Sequence, residues 1–299
     1  MTLQLLINGL SLGAVYALIA VGFAIIFNIL KFSNFAHGGF ITVTAYLGFL
    51  AVRFVQSQLP DLPRWVLLLL TLAAAGIGGC MLGLLAELAA FRRLRNNRSP
   101  MIFYFVSSIT LGVLLENVIT IFFSTNFYSY PRFFASYTIE LGNLFIPVPD
   151  LVMFVLSVLA LIGLAYLIYR TKFGVALRAV SYDVDTANLM GMNITRHIQL
   201  AFVLAGLLAG LSGVLLGVNY TLYPQLGQMV VKGFIASVIG GLGSLQGAVI
   251  GAILLGLIEI LLIRLVGSGI SPVFLFIIML LFLLLRPRGI AGSNVQEKA

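Results

Sequence analysis

The chain has 299 residues, of which 61% are hydrophobic and only 9% are charged. Soluble globular domains carry about 25% charged residues, so the composition excludes an ordinary water-soluble protein. The formal net charge of +8 does not indicate nucleic-acid binding, because the basic residues of a membrane protein set its orientation through their positions.

The apolar residues come in long blocks. Blocks of about 18 or more residues span the roughly 30 Å of bilayer hydrocarbon, so the sequence predicts an all-α polytopic membrane protein in which residues 1–299 form a single transmembrane domain. About eight transmembrane helices are predicted, near residues 4–27, 35–54, 65–90, 101–123, 151–169, 198–218, 245–265 and 272–286. A further block, 230–242, has only 13 residues, which predicts a half-length or re-entrant helix and leaves eight or nine crossings open.

Basic residues are concentrated in two connecting segments. The loop Phe91–Arg98 and the segment Arg170–His197 each contain four lysine or arginine residues, and such an excess is typical of cytoplasmic loops. Nine crossings from an external N-terminus place 12 lysine and arginine residues inside, including Arg286, Arg288 and Lys298 at the C-terminal end. The same count places five outside, namely Arg53, Arg64, Arg132, Lys232 and Arg264.

The longest external loop, residues 125–150, is rich in aromatic side chains. They are Phe127, Tyr128, Tyr130, Phe133, Phe134 and Tyr137. Aromatic rings settle at the headgroup level of a bilayer. We therefore expect this loop to lie at the external membrane interface.

The hydrophilic segment 170–197 has apolar residues at helical spacing and then a natural helix stop at Gly191 and Asn193. This pattern predicts one or two short helices at the cytoplasmic surface. A solvated connector between two spans is one interpretation. The other is a docking element, because Ala176, Ala179 and Ala187 would form a small apolar face suited to a partner's groove.

Two motifs interrupt helices at membrane depth, where freed backbone groups must be buried in protein or line a cavity. In Lys31–Gly39, Ser33 or Asn34 can cap the next helix, which would place Asn34 and His37 near a translocation path. A histidine there could instead bond to a neighbouring backbone carbonyl. In the second motif, Gly240, Gly241 and Gly243 predict a tight reversal that ends with Ser244 as the cap of the following helix.

Acidic residues inside predicted spans are Glu87, Glu116 and Glu259. An intramembrane carboxylate costs about 2.5–3.5 kcal/mol, so each should face protein or water. We expect Glu87 to pair with Arg92 or Arg93, and Glu116 and Glu259 to lie on a translocation path.

The sequence offers no arrangement of residues typical of an enzyme. It has no Asp/Glu–His cluster for a metal and no Ser-His-Asp spacing for catalysis. Its single cysteine, Cys80, excludes a disulfide framework and a Cys-based metal site. A Gly-x-x-x-x-Gly-Lys-Ser/Thr motif is also missing from the sequence, so any ATP hydrolysis must be supplied by another chain. No catalytic residue, metal or cofactor is expected.

Several motifs, taken in order, resemble the LivH-type permeases, the membrane subunits of ABC importers for branched-chain amino acids. They are Asn8–Gly22, Asn34-Phe-Ala-His-Gly38, Arg178-Ala with Asp183, Ala187 to Asn193, Gly240-Gly-Leu-Gly-Ser244 and Arg286-Pro-x-Gly289. The resemblance implies that the segment 170–197 is the element that couples to the ATPase, with Arg178, Asp183, Ala187 and Gly191 at the matching positions. One departure is Gly39, where many members of this family carry an acid.

The resemblance also implies the setting in which the chain works. The partners would be a second, LivM-like permease, two cytoplasmic ATPase subunits and an external solute-binding protein, all at a bacterial cytoplasmic (inner) membrane. The importer could alternatively carry urea, short amides or other amino acids. A stand-alone ion-coupled secondary transporter that uses Glu116 or Glu259 as a proton site is the competing class.

Overall fold

The computed structural model describes residues 2–134, 138–141, 144–286 and 289–291. The predicted Tyr137, Arg288 and Lys298 lie outside these residues. The helices are α1 (Thr2–Leu30), α2 (Ala36–Gln58), α3 (Arg64–Ala86), α4 (Arg92–Asn96), α5 (Met101–Phe123), α6 (Val148–Arg170), α7 (Lys172–Tyr182), α8 (Val184–Leu189), α9 (Ile194–Asn219), α10 (Val230–Gly240), α11 (Leu245–Val266) and α12 (Ser271–Leu285). A π-helical turn, Glu87–Phe91, joins α3 to α4, and a 3₁₀ turn, Pro224–Met229, precedes α10.

Within the described part of the chain, seven helices are long and apolar enough to cross a membrane. They are α1, α2, α3 with its continuation through α4, α5, α6, α9 and α11. The apolar α12 is shorter, at 15 residues, or about 22 Å along its axis. These eight helices coincide with the eight predicted blocks, which confirms an all-α polytopic membrane fold. The predicted half-length helix is α10, with 11 residues.

The segment between α9 and α11 also traverses the bundle. At one end Leu222 and Tyr128, which follows α5, exchange two backbone hydrogen bonds of 2.7 and 3.0 Å. At the other end Ile290, which follows α12, donates its backbone N–H to the carbonyl of Ile239 at 2.9 Å.

Gly243, just before α11, lies beside Asn28 near the end of α1, and Ser108 in the first half of α5 bonds to Ser33 just after α1. The end of α10 is therefore on the side where α5 begins, whereas Leu222 is on the side where α5 ends, so residues 220–240 cross the bundle, first as a non-α segment and then as α10. Counted over the described residues, the chain passes through the bundle nine times, in the seven long helices, α12 and the segment 220–240.

The helix α1 lies at the centre of the bundle and packs against α9, α10 and α11. Of its most apolar stretch, 89% is buried inside the protein. The helices α3 and α9 meet through glycines, since a Cβ on Gly79 would collide with the Gly206 carbonyl. By contrast, only 17% of the corresponding stretches of α5 and of α6 is buried. These two helices therefore have large surfaces left for lipid or for a partner chain.

The aromatic loop contains two short strands that the sequence did not predict. Strands β1 (Thr138–Leu141) and β2 (Leu144–Pro147) pair antiparallel, with Thr138 opposite Pro147. The interface prediction for the loop is wrong for Tyr130 and Phe133, which are only 7% and 3% exposed. The Tyr130 hydroxyl donates to the carbonyl of Ala45 at 2.5 Å, so this part of the loop packs against the middle of α2.

Candidate functional site

The first helix break, before α2, is held together by its own polar groups. The Asn34 side-chain oxygen accepts a hydrogen bond from the backbone N–H of Ala36 at 3.2 Å, and the Asn34 carbonyl accepts one from that of His37 at 3.4 Å. The hydroxyl of Ser108 on α5 accepts a bond from the backbone N–H of Phe35 at 3.3 Å. The predicted cap by Ser33 or Asn34 is therefore wrong, because the N-cap residue of α2 is Phe35 and it has no side-chain cap. Asn34 instead holds the turn before the helix, and α5 is tied to the same turn.

His37 is fully buried, with its imidazole packed against Gly22 of α1. Among the described residues neither ring nitrogen has a hydrogen-bond partner, so the carbonyl bond considered for this residue is not formed there. The next residue, Gly38, is in close backbone contact with Gly227, since a Cβ on Gly227 would collide with the Gly38 carbonyl. The structure thus places His37 inside the bundle and Gly38 against the 3₁₀ turn before α10.

A cavity of about 320 Å³ lies beside this contact, between α2, α5 and the start of α10. Glu116 is half-buried in its wall, and Gln228 lies in the wall on the 3₁₀ turn. The apolar wall residues are Phe35, Phe105, Ile109, Val113, Val230 and Val231. The structure therefore brings Glu116 together with the first helix break and with the 3₁₀ turn before α10, but it does not bring His37 or Glu259 to this cavity.

Glu259 lies instead in a buried cluster with Tyr16 and Lys232. One carboxylate oxygen of Glu259 is 2.6 Å from the Lys232 ammonium, and the other accepts a hydrogen bond from the Tyr16 hydroxyl at 3.0 Å. The ammonium also donates to the Tyr16 hydroxyl at 2.8 Å. The cluster joins the middle of α1, the first turn of α10 and α11.

This cluster corrects one prediction and adds two residues that sequence reasoning missed. Lys232 was expected outside the membrane, but it lies in the bundle because α10 begins inside it, so the external basic residues number four. The signal in the sequence was a single lysine at the start of a half-length apolar block. Tyr16 gave no comparable signal, since it lies in an uninterrupted apolar helix.

The remaining acid, Glu87, pairs with a different arginine from those expected. Its carboxylate is 2.7 Å from the guanidinium of Arg95, not of Arg92 or Arg93, and it accepts a further hydrogen bond from Gln199 at 3.3 Å. The π-helical turn between α3 and α4 adds one residue to the helical repeat there. The side chains beyond the turn are therefore rotated relative to those of a continuous α-helix. The predicted pairing of Glu87 with Arg92 or Arg93 assumed α-helical spacing and is wrong for this reason.

The second helix break has the predicted geometry. Gly241 and Gly243 have φ angles of +107° and +89°, a conformation that favours glycine. The Ser244 hydroxyl accepts a hydrogen bond from the backbone N–H of Gly247 at 3.0 Å and so caps α11. Gly240 packs on the backbone of Gly247, which lets α10 and α11 lie in close contact.

The segment between α6 and α9 forms the two short helices expected, α7 and α8. The Asp183 carboxylate accepts a hydrogen bond from the backbone N–H of Thr186 at 3.0 Å and caps α8. Gly191, at φ +80°, ends α8, and the Met192 N–H bonds back to the Ala187 carbonyl at 3.1 Å. Arg178 donates to the carbonyl of Ile168 and so ties α7 to the end of α6.

The expected docking face of this segment is wrong in one respect. Ala187 is only 5% exposed, so its side chain faces the protein and is not available to a partner. The most exposed large apolar side chains of the segment are Tyr182, Leu189 and Met190, which are 86%, 87% and 79% exposed. We call these three residues the outer patch. Such exposure of large apolar side chains in a polar segment is typical of a contact surface.

No group of three or more histidine, cysteine, aspartate or glutamate residues that could hold a metal ion occurs in the described ranges. The chemistry available at the cavity is therefore that of one carboxylate, one amide and an apolar wall. Such a site can bind and orient a small polar molecule.

Comparison with known proteins places this geometry in a family. Residues 5–284 match the family described as "Branched-chain amino acid transport system / permease component". The chain is 33% identical over 305 residues to the high-affinity branched-chain amino acid transport system permease protein BraD of Pseudomonas aeruginosa, covering 99% of this chain and 97% of that protein. With the same coverages, it is 32% and 31% identical over 302 residues to the proteins named LivH of Salmonella typhimurium and Escherichia coli K12. The similarity spans both helix breaks and the segment that joins α6 to α9.

Proposed function

The chain belongs to the branched-chain amino acid transport permease family, and we propose that it is the membrane-spanning permease subunit of an ABC importer that brings branched-chain, hydrophobic amino acids into the cytoplasm. The observation that carries this proposal is the match over nearly the full length to permeases with that printed name. In this proposal residues 1–299 act as one permease domain, and separate subunits hydrolyse ATP.

The membrane of this importer would be a bacterial cytoplasmic membrane, with the basic end of the bundle in the cytoplasm. Lys31, the arginine-rich loop and the segment between α6 and α9 lie at this end. Positive charge in short loops favours the cytoplasmic side. The β1–β2 hairpin then lies outside, where a solute-binding protein would deliver the substrate.

The outer patch is the proposed contact with the two cytoplasmic ATPase subunits. An exposed leucine and methionine on a capped short helix suit an apolar groove, into which a helix can place its apolar side chains. Arg178 and Asp183 would act by holding α7 and α8 in place, because their bonds are to residues of this chain. Ala187 and Gly191 would set the direction of the outer patch.

The proposed translocation path runs along the face that carries the cavity. Only 17% of the apolar stretch of α5 is buried, yet α5 carries Glu116 on this face. A carboxylate facing lipid costs about 2.5–3.5 kcal/mol, so this face would be covered by water and by a second, LivM-like permease. Asn34 would support the path by shaping the turn before α2, whereas His37 and Glu259 would support it from inside the bundle.

Substitution of the outer patch tests this function. We expect Leu189→Asp to abolish ATP-driven uptake of labelled L-leucine and to reduce co-purification of the ATPase subunits at least about tenfold, because an aspartate cannot enter an apolar groove. Phe127→Asp is the matched control, since Phe127 is 73% exposed at the opposite end of the bundle and its variant should keep the ATPase bound. ATP-independent leucine uptake by this chain alone in proteoliposomes would instead establish the secondary transporter.

A further inference from the structure

The cavity between α2, α5 and the start of α10 has a polar group on each of two opposite walls. One wall is α5, which contributes Glu116 beside Ile109 and Val113, and the other is the segment before and at the start of α10, which contributes Gln228 beside Val230. The closely packed backbones of Gly38 and Gly227 lie between these groups. Its volume of about 320 Å³ is at the small end of the range for ligand pockets. The space therefore suits a molecule of amino-acid size.

Glu116 differs from the other acids of the membrane-spanning helices in its surroundings. Glu87 is paired with Arg95 and Glu259 with Lys232, and Asp150 at the start of α6 accepts a hydrogen bond from Asn219. Across the described residues, no side chain or backbone group bonds to the Glu116 carboxylate. It is also the one ionisable side chain in the cavity wall as the structure describes it. A cation that enters the cavity would therefore meet a carboxylate that this chain leaves uncompensated.

We propose that this cavity is the subsite where the permease binds an α-amino acid with an aliphatic side chain during translocation, an inference that rests on the permease function proposed above. The Glu116 carboxylate accepts hydrogen bonds from the substrate's ammonium group. The Gln228 amide donates to the substrate's carboxylate, and Ile109, Val113 and Val230 contact its side chain.

The charge of Glu116 favours this substrate class over the neutral solutes considered as alternatives. An ammonium–carboxylate hydrogen bond is roughly twice as strong as a bond between neutral groups. Urea or a short amide would gain only the weaker kind of bond and would not compensate the charge of the carboxylate. An aliphatic amino acid compensates it and also covers the apolar wall.

Uptake kinetics in the assembled importer test the role of the carboxylate. We expect Glu116→Gln to lower the maximal rate of L-leucine uptake about tenfold or more, since hydrogen bonds to charged groups are the strong ones. The half-saturating concentration should stay unchanged, because the solute-binding protein captures leucine before it reaches the permease. Glu116→Asp should restore part of the rate. Asn117→Ala is the matched control, because Asn117 is the next residue of α5, is exposed and is not in the cavity wall.

Thiol labelling tests whether leucine occupies the cavity. Cys80 is the single cysteine, so Cys80→Ser gives a background without thiols. In that background a membrane-impermeant methanethiosulfonate should modify Val113→Cys, a position in the cavity wall that leaves the Glu116 carboxylate in place, in the assembled importer. L-leucine should slow this modification about threefold or more by occupying the cavity. Ile121→Cys is the control on the same helix, since Ile121 is 78% exposed on the surface of the chain and should show no protection by leucine.

The outcomes separate this inference from the proposed function. If wild-type uptake of leucine is ATP-driven while Glu116→Gln transports at the wild-type rate, or while leucine gives no protection, the subsite is refuted and the permease function stands. Loss of the second permease from the purified complex of Glu116→Gln would assign Glu116 to the subunit interface and would also refute the subsite. If the wild-type importer moves no aliphatic amino acid, the proposed function itself fails.

Discussion

The buried cluster of Tyr16, Lys232 and Glu259 should stabilise the bundle measurably. The side chains of Lys232 and Glu259 are 24% and 7% exposed, and their charged atoms are 2.6 Å apart. Removing one member of a fully buried ion pair costs about 3–5 kcal/mol, because the remaining charge is left uncompensated. Since Lys232 keeps some exposure, we expect Lys232→Met and Glu259→Gln each to lower the free energy of unfolding by about 2–3 kcal/mol.

The double variant distinguishes an ion pair from two independent side chains. With both charges removed, no uncompensated charge remains, so the loss should be smaller than in either single variant, below about 2 kcal/mol, rather than the sum of about 4–6. The measurement is the helical circular dichroism signal of the protein in detergent micelles as a denaturing detergent is added. Lys172→Met is the matched control and should change stability by less than about 0.5 kcal/mol, since Lys172 is an exposed lysine at the surface. Losses of Lys232→Met and Glu259→Gln that add to within about 0.5 kcal/mol would refute the pairing.

Two further predictions concern the helix contacts and the segment between α6 and α9. Gly79→Ala should lower the free energy of unfolding by about 1–3 kcal/mol, because its methyl group would meet the Gly206 carbonyl; Gly163→Ala, with open space around its position, should raise it by about 0.5–1 kcal/mol in the same denaturation assay. Asp183→Ala should destabilise α8 by about 1 kcal/mol, because it removes the carboxylate that accepts the hydrogen bond from the Thr186 N–H. Amide hydrogen exchange should then become faster in residues 184–190 alone, and unchanged exchange would contradict the prediction.

The helices that cross the membrane could be predicted because the bilayer imposes their length and apolar character. The path of residues 220–240 could not, because it depends on distant contacts. The extended chain at Leu222 is held by backbone bonds to Tyr128, and the end of α10 is held by Ile290. The length of the apolar block showed that α10 is too short to span a bilayer, but it did not show that the residues before α10 complete the crossing of the bundle.

The functional residues were predictable only where the local sequence determines the geometry. Gly243 and Ser244 form the turn and the cap expected of them, since these depend on residues within three positions. Asn34 forms a local turn with Ala36 but does not cap α2. Ala187 was assigned to the wrong side of α8, because helical spacing defines a face but not its direction. Lys232 was predicted outside the membrane because the sequence does not show how deep in the bundle α10 begins.

The arrangement of charges also indicates which wall of the cavity is fixed. Lys232 is two residues beyond Val230 of the cavity wall, and its pair with Glu259 ties the start of α10 to α1 and α11. The opposite wall is α5, whose apolar stretch is only 17% buried and whose acid, Glu116, is bound by no group in the described chain. Moving α10 would break an ion pair and separate it from both α1 and α11, whereas moving α5 would break no ion pair of the described residues and would disturb mainly its packing on α2. A change in the width of the cavity during a transport cycle therefore costs least if α5 shifts against α2, with the half-length helix held in place.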